Sequence, residues 1–216
     1  MAFFSGLLDL FFPPKCIFCG KVLKSGESSV CAKCLQVLPF TMGREAVQDG
    51  EYFNTCIAPL FYQDTVRKSI HRFKFGGAAG YADYYGAIMA DCIREHYDGK
   101  YDLITWVPLS SQRAKSRGYD QAMLLALAVA LELDDVAVET LSKTRDAQAQ
   151  SELGGKEVRR ANISGAYEVT DAELIDGRRI LLIDDVVTTG STLSECARIL
   201  LLSGAESVMC AALARG

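Results

Sequence analysis

Two clusters of side chains carry the chemistry available to this chain. The first is Asp184-Asp185-Val186-Val187-Thr188-Thr189-Gly190-Ser191-Thr192. Two adjacent carboxylates accept hydrogen bonds from sugar hydroxyls, or hold a magnesium ion. They cannot serve a phosphate. The run that follows them can, because a Gly-bearing loop that opens a helix presents unpaired N–H groups and a positive dipole end. The hydroxyls of Thr188, Thr189, Ser191 and Thr192 add further donors. A ribose bearing a 5′-phosphate would satisfy both halves. The plainer alternative is a surface turn that happens to hold two acids, and the order of strand, acid pair, hydroxyl loop and helix weighs against it. The second cluster is Cys16-x-x-Cys19 with Cys31-x-x-Cys34, eleven residues apart. Two such knuckles place four thiolates at the corners of a tetrahedron, the geometry of a closed structural zinc site. A redox dithiol or an unligated pair is the alternative reading.

The elements that must position these groups follow from patterning. Ile180 to Ile183 is an unbroken apolar run between charged neighbours, the mark of a strand buried on both faces of a parallel sheet. The carboxylates stand at its carboxyl end, where open α/β sheets bind ligands. Leu193 to Leu202 is apolar at helical spacing, and Ser207 to Leu213 supplies the strand that completes a β-α-β unit. Tyr101 to Leu109 is a second buried strand that empties into Ser110 to Gln121, a polar and basic loop, before the apolar helix Ala122 to Leu133. Arg113, Lys115 and Arg117 on that loop could receive a pyrophosphate, or simply face solvent. The densest basic cluster, Arg67 to Gly77, is either a solvated helix face or a contact for an anion, with Lys74 beside Gly76-Gly77 the strongest candidate. Tyr81, Tyr85, Ile88, Met89 and Cys92 recur at helical spacing and should face the core.

Elsewhere the chain is less specific. Met42 to Gly50 has the polarity of a linker, and Tyr52 to Tyr62 is β-prone but carries Pro59, which confines it to a sheet edge. Leu141 to Ala161 is long and polar between strands at Val136 to Leu141 and Gly165 to Val169. It would act as a lid, with Gln150, Arg159 and Asn162 in reach of a ligand. Cys56, Cys92, Cys196 and Cys210 stand singly in apolar segments as small core residues.

Composition sets the outer limits. With 216 residues, half of them hydrophobic, one α/β domain and a small appendage need no disulfides for stability. A net charge of −4 argues against coating nucleic acid through an overall positive field. No apolar run is long enough to span a bilayer. Met1 to Phe12 is apolar but has no basic n-region or cleavage site, so a docked helix is expected rather than a membrane or partner anchor, and the protein is expected in the cytoplasm.

The segment Ile180 to Leu193 resembles the phosphoribosyl pyrophosphate (PRPP) signature of the phosphoribosyltransferases. The whole chain is similar to the ComF family of that group. The double CxxC, Lys74-Phe75-Gly76, Val107-Pro108-Leu109, Arg117-Gly118-Tyr119-Asp120-Gln121, Arg159-x-x-Asn162 and Gly165-Ala166-Tyr167 all match. Asp120 stands where the family often has Asn. The resemblance implies an α/β fold of type I phosphoribosyltransferase kind, a central mostly parallel sheet flanked by helices, over residues 51–216. A four-cysteine zinc module would occupy residues 1–42. It also implies PRPP with magnesium held by Asp184, Asp185 and the loop Val186 to Thr192, with Lys74, Arg113 and Arg117 on the pyrophosphate. Transfer of the phosphoribosyl group would then release pyrophosphate with Asp184 and Asp185 as the catalytic pair. The implied role is natural competence, with single-stranded DNA and a helicase-like protein as partners. A catalytically silent, PRPP-regulated adaptor is the alternative.

Overall fold

A computed structural model describes residues 13–144 and 165–216. The expected N-terminal helix, and the lid residues Gln150, Arg159 and Asn162, lie outside the described residues. Two long strands organise the rest: β7 (Arg179–Val187) and β8 (Ser207–Arg215) lie parallel along nearly their whole length, linked by helix α6 (Ser191–Leu202). With β1 (Val47–Gln48), β2 (Cys56–Ile57), β3 (Leu60–Phe61) and β4 (Leu103–Trp106), the sheet order is β1-β2-β8-β7-β4, β4 lying parallel to β7 and both β2 and β3 parallel to β8. Pro59 divides β2 from β3, as the missing N–H requires. The expected linker is not one: Gly43–Ala46 forms a 3₁₀ turn and β1 (Val47–Gln48) pairs antiparallel with β2 as the true sheet edge. Two-residue strands carry no periodicity of their own, so only their distant partner reveals them.

Both faces of the sheet are covered, as a mostly parallel sheet demands. Leu181 and Ile183 point to the face packed by α2 (Asp64–Phe75), α3 (Tyr81–Tyr97) and α5 (Gln121–Leu133). Ile180 and Leu182 point the other way, into the core beneath α6. All four are fully buried. This period-2 alternation decides which way each later side chain of β7 leaves the sheet. Cys56, Cys92, Cys196 and Cys210 are all buried, in line with their expected packing role.

Helices α3 and α5 meet at Gly86, where a Cβ would come within 2.5 Å of the Ala128 methyl and 2.9 Å of its carbonyl carbon. Backbone cannot yield as a side-chain tip can. Gly86→Ala is therefore expected to overpack this crossing and to cost about 1–3 kcal/mol in chemical denaturation, despite the better helix propensity of Ala.

The stretch Ser110 to Gln121, expected as a loop, contains a short helix, α4 (Ser111–Arg117). Ser110 caps it by accepting from the Arg113 amide, and Gly118 closes it in the left-handed region at φ 83°. The expected strand at Val136 to Leu141 lies later in the chain. β5 (Leu141–Lys143) pairs antiparallel with β6 (Tyr167–Val169) in a separate two-stranded sheet, and earlier residues contribute only a bridge between Ala137 and Ile104.

Near the N-terminus, the cysteine segment folds around α1 (Ala32–Val37) and shares its core with the main domain. Phe18 sets its ring edge-on against Tyr84 and Tyr85, each 6.1 Å away. No helix among the described residues is long and apolar enough to cross a membrane.

Candidate carboxylate pocket and four-cysteine site

Beyond the carboxyl ends of β7 and β4 lies a cavity of about 260 Å³ lined by Lys74, Arg113, Arg117, Asp184, Asp185 and Thr192, among others. A second hollow adjoins it, formed by Asp184 and the loop Val186 to Leu193. Both sit where an open α/β sheet places its ligands. Lys74, Arg113, Arg117, the two carboxylates and the loop Val186 to Thr192 thus surround these adjoining hollows, whereas Lys115 is exposed and lines neither. Val187 borders them, but its side chain is buried in the core below the loop.

Strand alternation sends the two carboxylates apart. Asp185 meets Lys74 of α2, Nζ to Oδ1 at 2.8 Å. Asp184 lies toward Tyr167 and Cys196, whose ionisation is pushed up chiefly by burial and further by the Asp184 charge. Removal from water, first, and the neighbouring Asp185, second, raise the Asp184 carboxyl to about 8; Lys74 opposes them without prevailing. The backbone amide of Asp185 also donates to Asp184 Oδ1 at 2.8 Å. Lys74 is the cation that answers the pair.

The loop after β7 is built for an anion. Gly190 takes φ 72° just before α6, and no side chain caps that helix. An L side chain at Gly190 would be strained and would also press on Phe53 at 3.4 Å. The Thr189 and Ser191 hydroxyls sit 2.8 Å apart on the same turn. The Ser191 amide turns to the Thr189 hydroxyl at 3.4 Å, and the next amides of the first turn face a ligand in a setting of positive dipole.

On the opposite wall, Arg117 stacks its guanidinium 4.6 Å from the Phe75 ring centre and donates to Gln121 Oε1 at 2.7 Å. Four polar lining residues are not among the expected site residues: Asp120, Gln121, Lys143 and Tyr167. Asp120 was legible in principle, since Asp before an apolar helix is an N-cap signature. Its Oδ1 accepts from Met123 N at 3.2 Å, and its Oδ2 from Leu109 N at 2.6 Å, fixing the strand-end loop to α5. Lys143, over the Tyr167 ring at 5.0 Å, reaches the cavity only through the β5–β6 pairing, which no local pattern announces.

The four Cys sulfurs of Cys16, Cys19, Cys31 and Cys34 all lie within 4.8 Å of one another, and Cys19 and Cys31 are 3.7 Å apart. A tetrahedron with Zn–S of about 2.3 Å has an S–S edge of about 3.8 Å, so the donor set fits zinc. Burial pushes the Cys16 thiol up, but amides of Cys19, Cys31 and Phe18 outweigh it and bring it down to about 6. That favours the thiolate at Cys16, while burial and the neighbouring thiols push Cys34 up. The Glu27 carboxylate ties the knuckles by accepting from Lys24 N at 2.7 Å and Ala32 N at 2.8 Å.

Comparison with known proteins agrees with both halves of this geometry. Residues 117–216 match the phosphoribosyl transferase domain, and residues 7–46 match the double zinc ribbon domain. That second span holds four cysteines and no histidine, enough for one metal site. Competence protein F of Haemophilus influenzae is 29% identical over 226 residues, covering 95% of this chain and 98% of its own. Competence protein ComFC of Bacillus subtilis is 28% identical over 189 residues, 88% of this chain and 72% of its own. DNA utilization protein YhgH of Salmonella typhi is 30% identical over 200 residues, 89% of this chain and 80% of its own. Among solved structures, an allosteric regulatory enzyme of purine biosynthesis aligns loosely, at 19% identity and a TM-score of 0.41, over 62% of this chain and 25% of its own. With a four-cysteine zinc ribbon set ahead of a phosphoribosyl transferase domain, the chain belongs to the ComF family of competence and DNA utilization proteins.

Proposed function

We propose that this protein binds PRPP between the two hollows and acts in DNA uptake, transferring the phosphoribosyl group with release of pyrophosphate. The observation that carries this reading is one continuous site in which a carboxylate pair, an uncapped hydroxyl-rich helix start and three basic side chains converge. The loop Thr188 to Thr192 would take the 5′-phosphate. Asp184 and Asp185 would accept from the ribose hydroxyls, and their charge would favour an oxocarbenium-like transition state. Lys74, Arg113 and Arg117 would take the pyrophosphate, and magnesium arriving with PRPP would offset the charge of that leaving group. The relatives named for competence and DNA utilization support the process, and a helicase-like partner in the cytoplasm fits it.

Calorimetric titration with PRPP and magnesium, read beside pyrophosphate release, tests this. The unliganded Asp184 carboxyl, raised to about 8, keeps its proton at neutral pH, whereas sugar hydroxyls donate best to the ionised form. Binding should therefore release protons at pH 7, seen as a buffer-dependent heat. Affinity should climb from pH 6 to 8 by up to about tenfold per unit, and level off above. Asp184→Asn should flatten this profile; a wild-type profile without slope would remove Asp184 from the ligand. The same shift costs the unliganded fold stability as pH rises from 3.8 toward about 8, because the folded state then holds the extra proton.

One observation favours a second reading, an adaptor that binds single-stranded DNA without turnover. The outer face of α2 exposes Arg67, Lys68, His71 and Phe75, with the His71 and Phe75 rings 4.9 Å apart. Cations beside an exposed aromatic suit a stacked base and its phosphate. Oligonucleotide affinity that falls steeply with salt, with no pyrophosphate released, would select this reading over transfer.

A further inference from the structure

Helix α2 carries, within two turns, a bond to the cysteine module and a bond to the carboxylate pocket. Ser69 Oγ donates to the Ile17 carbonyl, and Arg72 Nη2 donates to the carbonyls of Ile17 at 2.7 Å and Phe18 at 2.8 Å. Ile17 and Phe18 are the two residues between Cys16 and Cys19, so their carbonyls point wherever the first knuckle turns them. Two residues after Arg72, Lys74 pairs with Asp185 at 2.8 Å. Between them, the Phe73 carbonyl accepts from the Tyr119 hydroxyl, next to the Asp120 that holds Leu109 at the pocket wall.

We propose that Ser69 and Arg72 are positioning residues that couple metal occupancy of the four-cysteine module to the Lys74–Asp185 pair, so that loading of the module sets the pocket's affinity for its ligand. Charge strengthens the link beyond mere packing. Arg72 Nε is buried without a hydrogen-bond partner, and among the described residues no carboxylate lies within bridging distance of this guanidinium. Zinc held by four thiolates is a cluster of net charge −2, since four negative sulfurs outweigh one dication. The loaded knuckle is therefore the counter-charge of Arg72, reached through the two carbonyls. Without the ion the two knuckles lose their common anchor, and the Ile17 and Phe18 carbonyls that Arg72 serves are free to turn. Helix α2 then has reason to move, and Lys74 moves with it.

The ligand half of this proposal rests on the PRPP reading of the pocket, so the test uses a readout that needs no ligand. Lysines of the full chain are acetylated with a water-soluble reagent, with and without prior zinc removal by a chelator, and Lys74 is followed by peptide mass spectrometry against Lys68. Zinc removal should raise the Lys74 rate about fivefold or more relative to Lys68, the lower end of ordinary site-to-site coupling. Arg72→Gln and Ser69→Ala should raise it in protein that still holds one zinc per chain. These two variants decide the matter if circular dichroism shows the metal-free chain unfolded. Unchanged Lys74 reactivity in both loaded variants overturns the proposal. In parallel, zinc removal should weaken PRPP binding in the wild type by a similar factor but not in Lys74→Ala. Equal weakening in both also overturns it. If PRPP fails to bind in any form while Lys74 reactivity still follows the metal, the coupling stands and the PRPP reading falls.

Discussion

Asp185→Asn is expected to lower PRPP affinity, and turnover once an acceptor is supplied, by about a hundredfold. Of the two adjacent carboxylates, Asp185 is the one paired with a cation, and Asp184 is held up to about 8 by burial and by that neighbour. Asp185 is thus the member of the pair with a cation set against it. An amide there removes the charge opposite a developing sugar cation and strands Lys74, whose side chain is only 22% exposed. It also relieves Asp184, whose carboxyl should then titrate lower. The double consequence separates this variant from Asp184→Asn, which leaves the Lys74–Asp185 pair in place and loses only the acceptor that ionised Asp184 offers the sugar. PRPP consumption at the wild-type rate by Asp185→Asn would strip the carboxylate of its assigned role.

Loss of the metal site should produce the largest change in stability. Cys16→Ser leaves three thiolates for a site whose geometry fits four, and the module shares its buried core with the main domain through Ile17, Phe18, Val30 and Leu38. Small metal-closed units often have no fold without their ion. A loss of at least about 3 kcal/mol corresponds to a drop in melting temperature of roughly 6–12 °C for a chain of this size. Calorimetry of Cys16→Ser beside a zinc assay checks it, and an unchanged melt would show that the knuckles contribute no stability.

How far the sequence disclosed this depends on how local each signal is. The strand Ile180 to Ile183, the acid pair and the TTGST turn lie in one uninterrupted stretch, and each is a property of its own residues. The cysteine knuckles are similarly self-announcing. Lys74 was within reach because it closes a basic cluster beside two glycines, although its partner lies on a strand far along the chain. What stayed hidden depends on distant partners. Arg72 looks like one more solvated cation, because the carbonyls it serves lie 54 and 55 residues earlier. Lys143 enters the pocket through pairing with Tyr167 alone. Helix α4 is hidden because its seven residues, six polar and Ala114, show no amphipathic period, and its limits rest on Ser110 and Gly118 rather than on any apolar stripe.

The alternation along β7 has a consequence for which changes the gene can tolerate. Leu181 and Ile183 face one layer and Ile180 and Leu182 the other, and the acid pair inherits that phase. Conservative exchanges among the four aliphatic residues leave the phase intact. Deleting one codon between Arg179 and Ile183 would invert every residue after the gap relative to those before it, setting Asp184 on the face that Asp185 now occupies and turning Asp185 toward Tyr167. Indels of an odd number of codons in this short span should therefore be lethal to the protein, whereas conservative point variation there is absorbed.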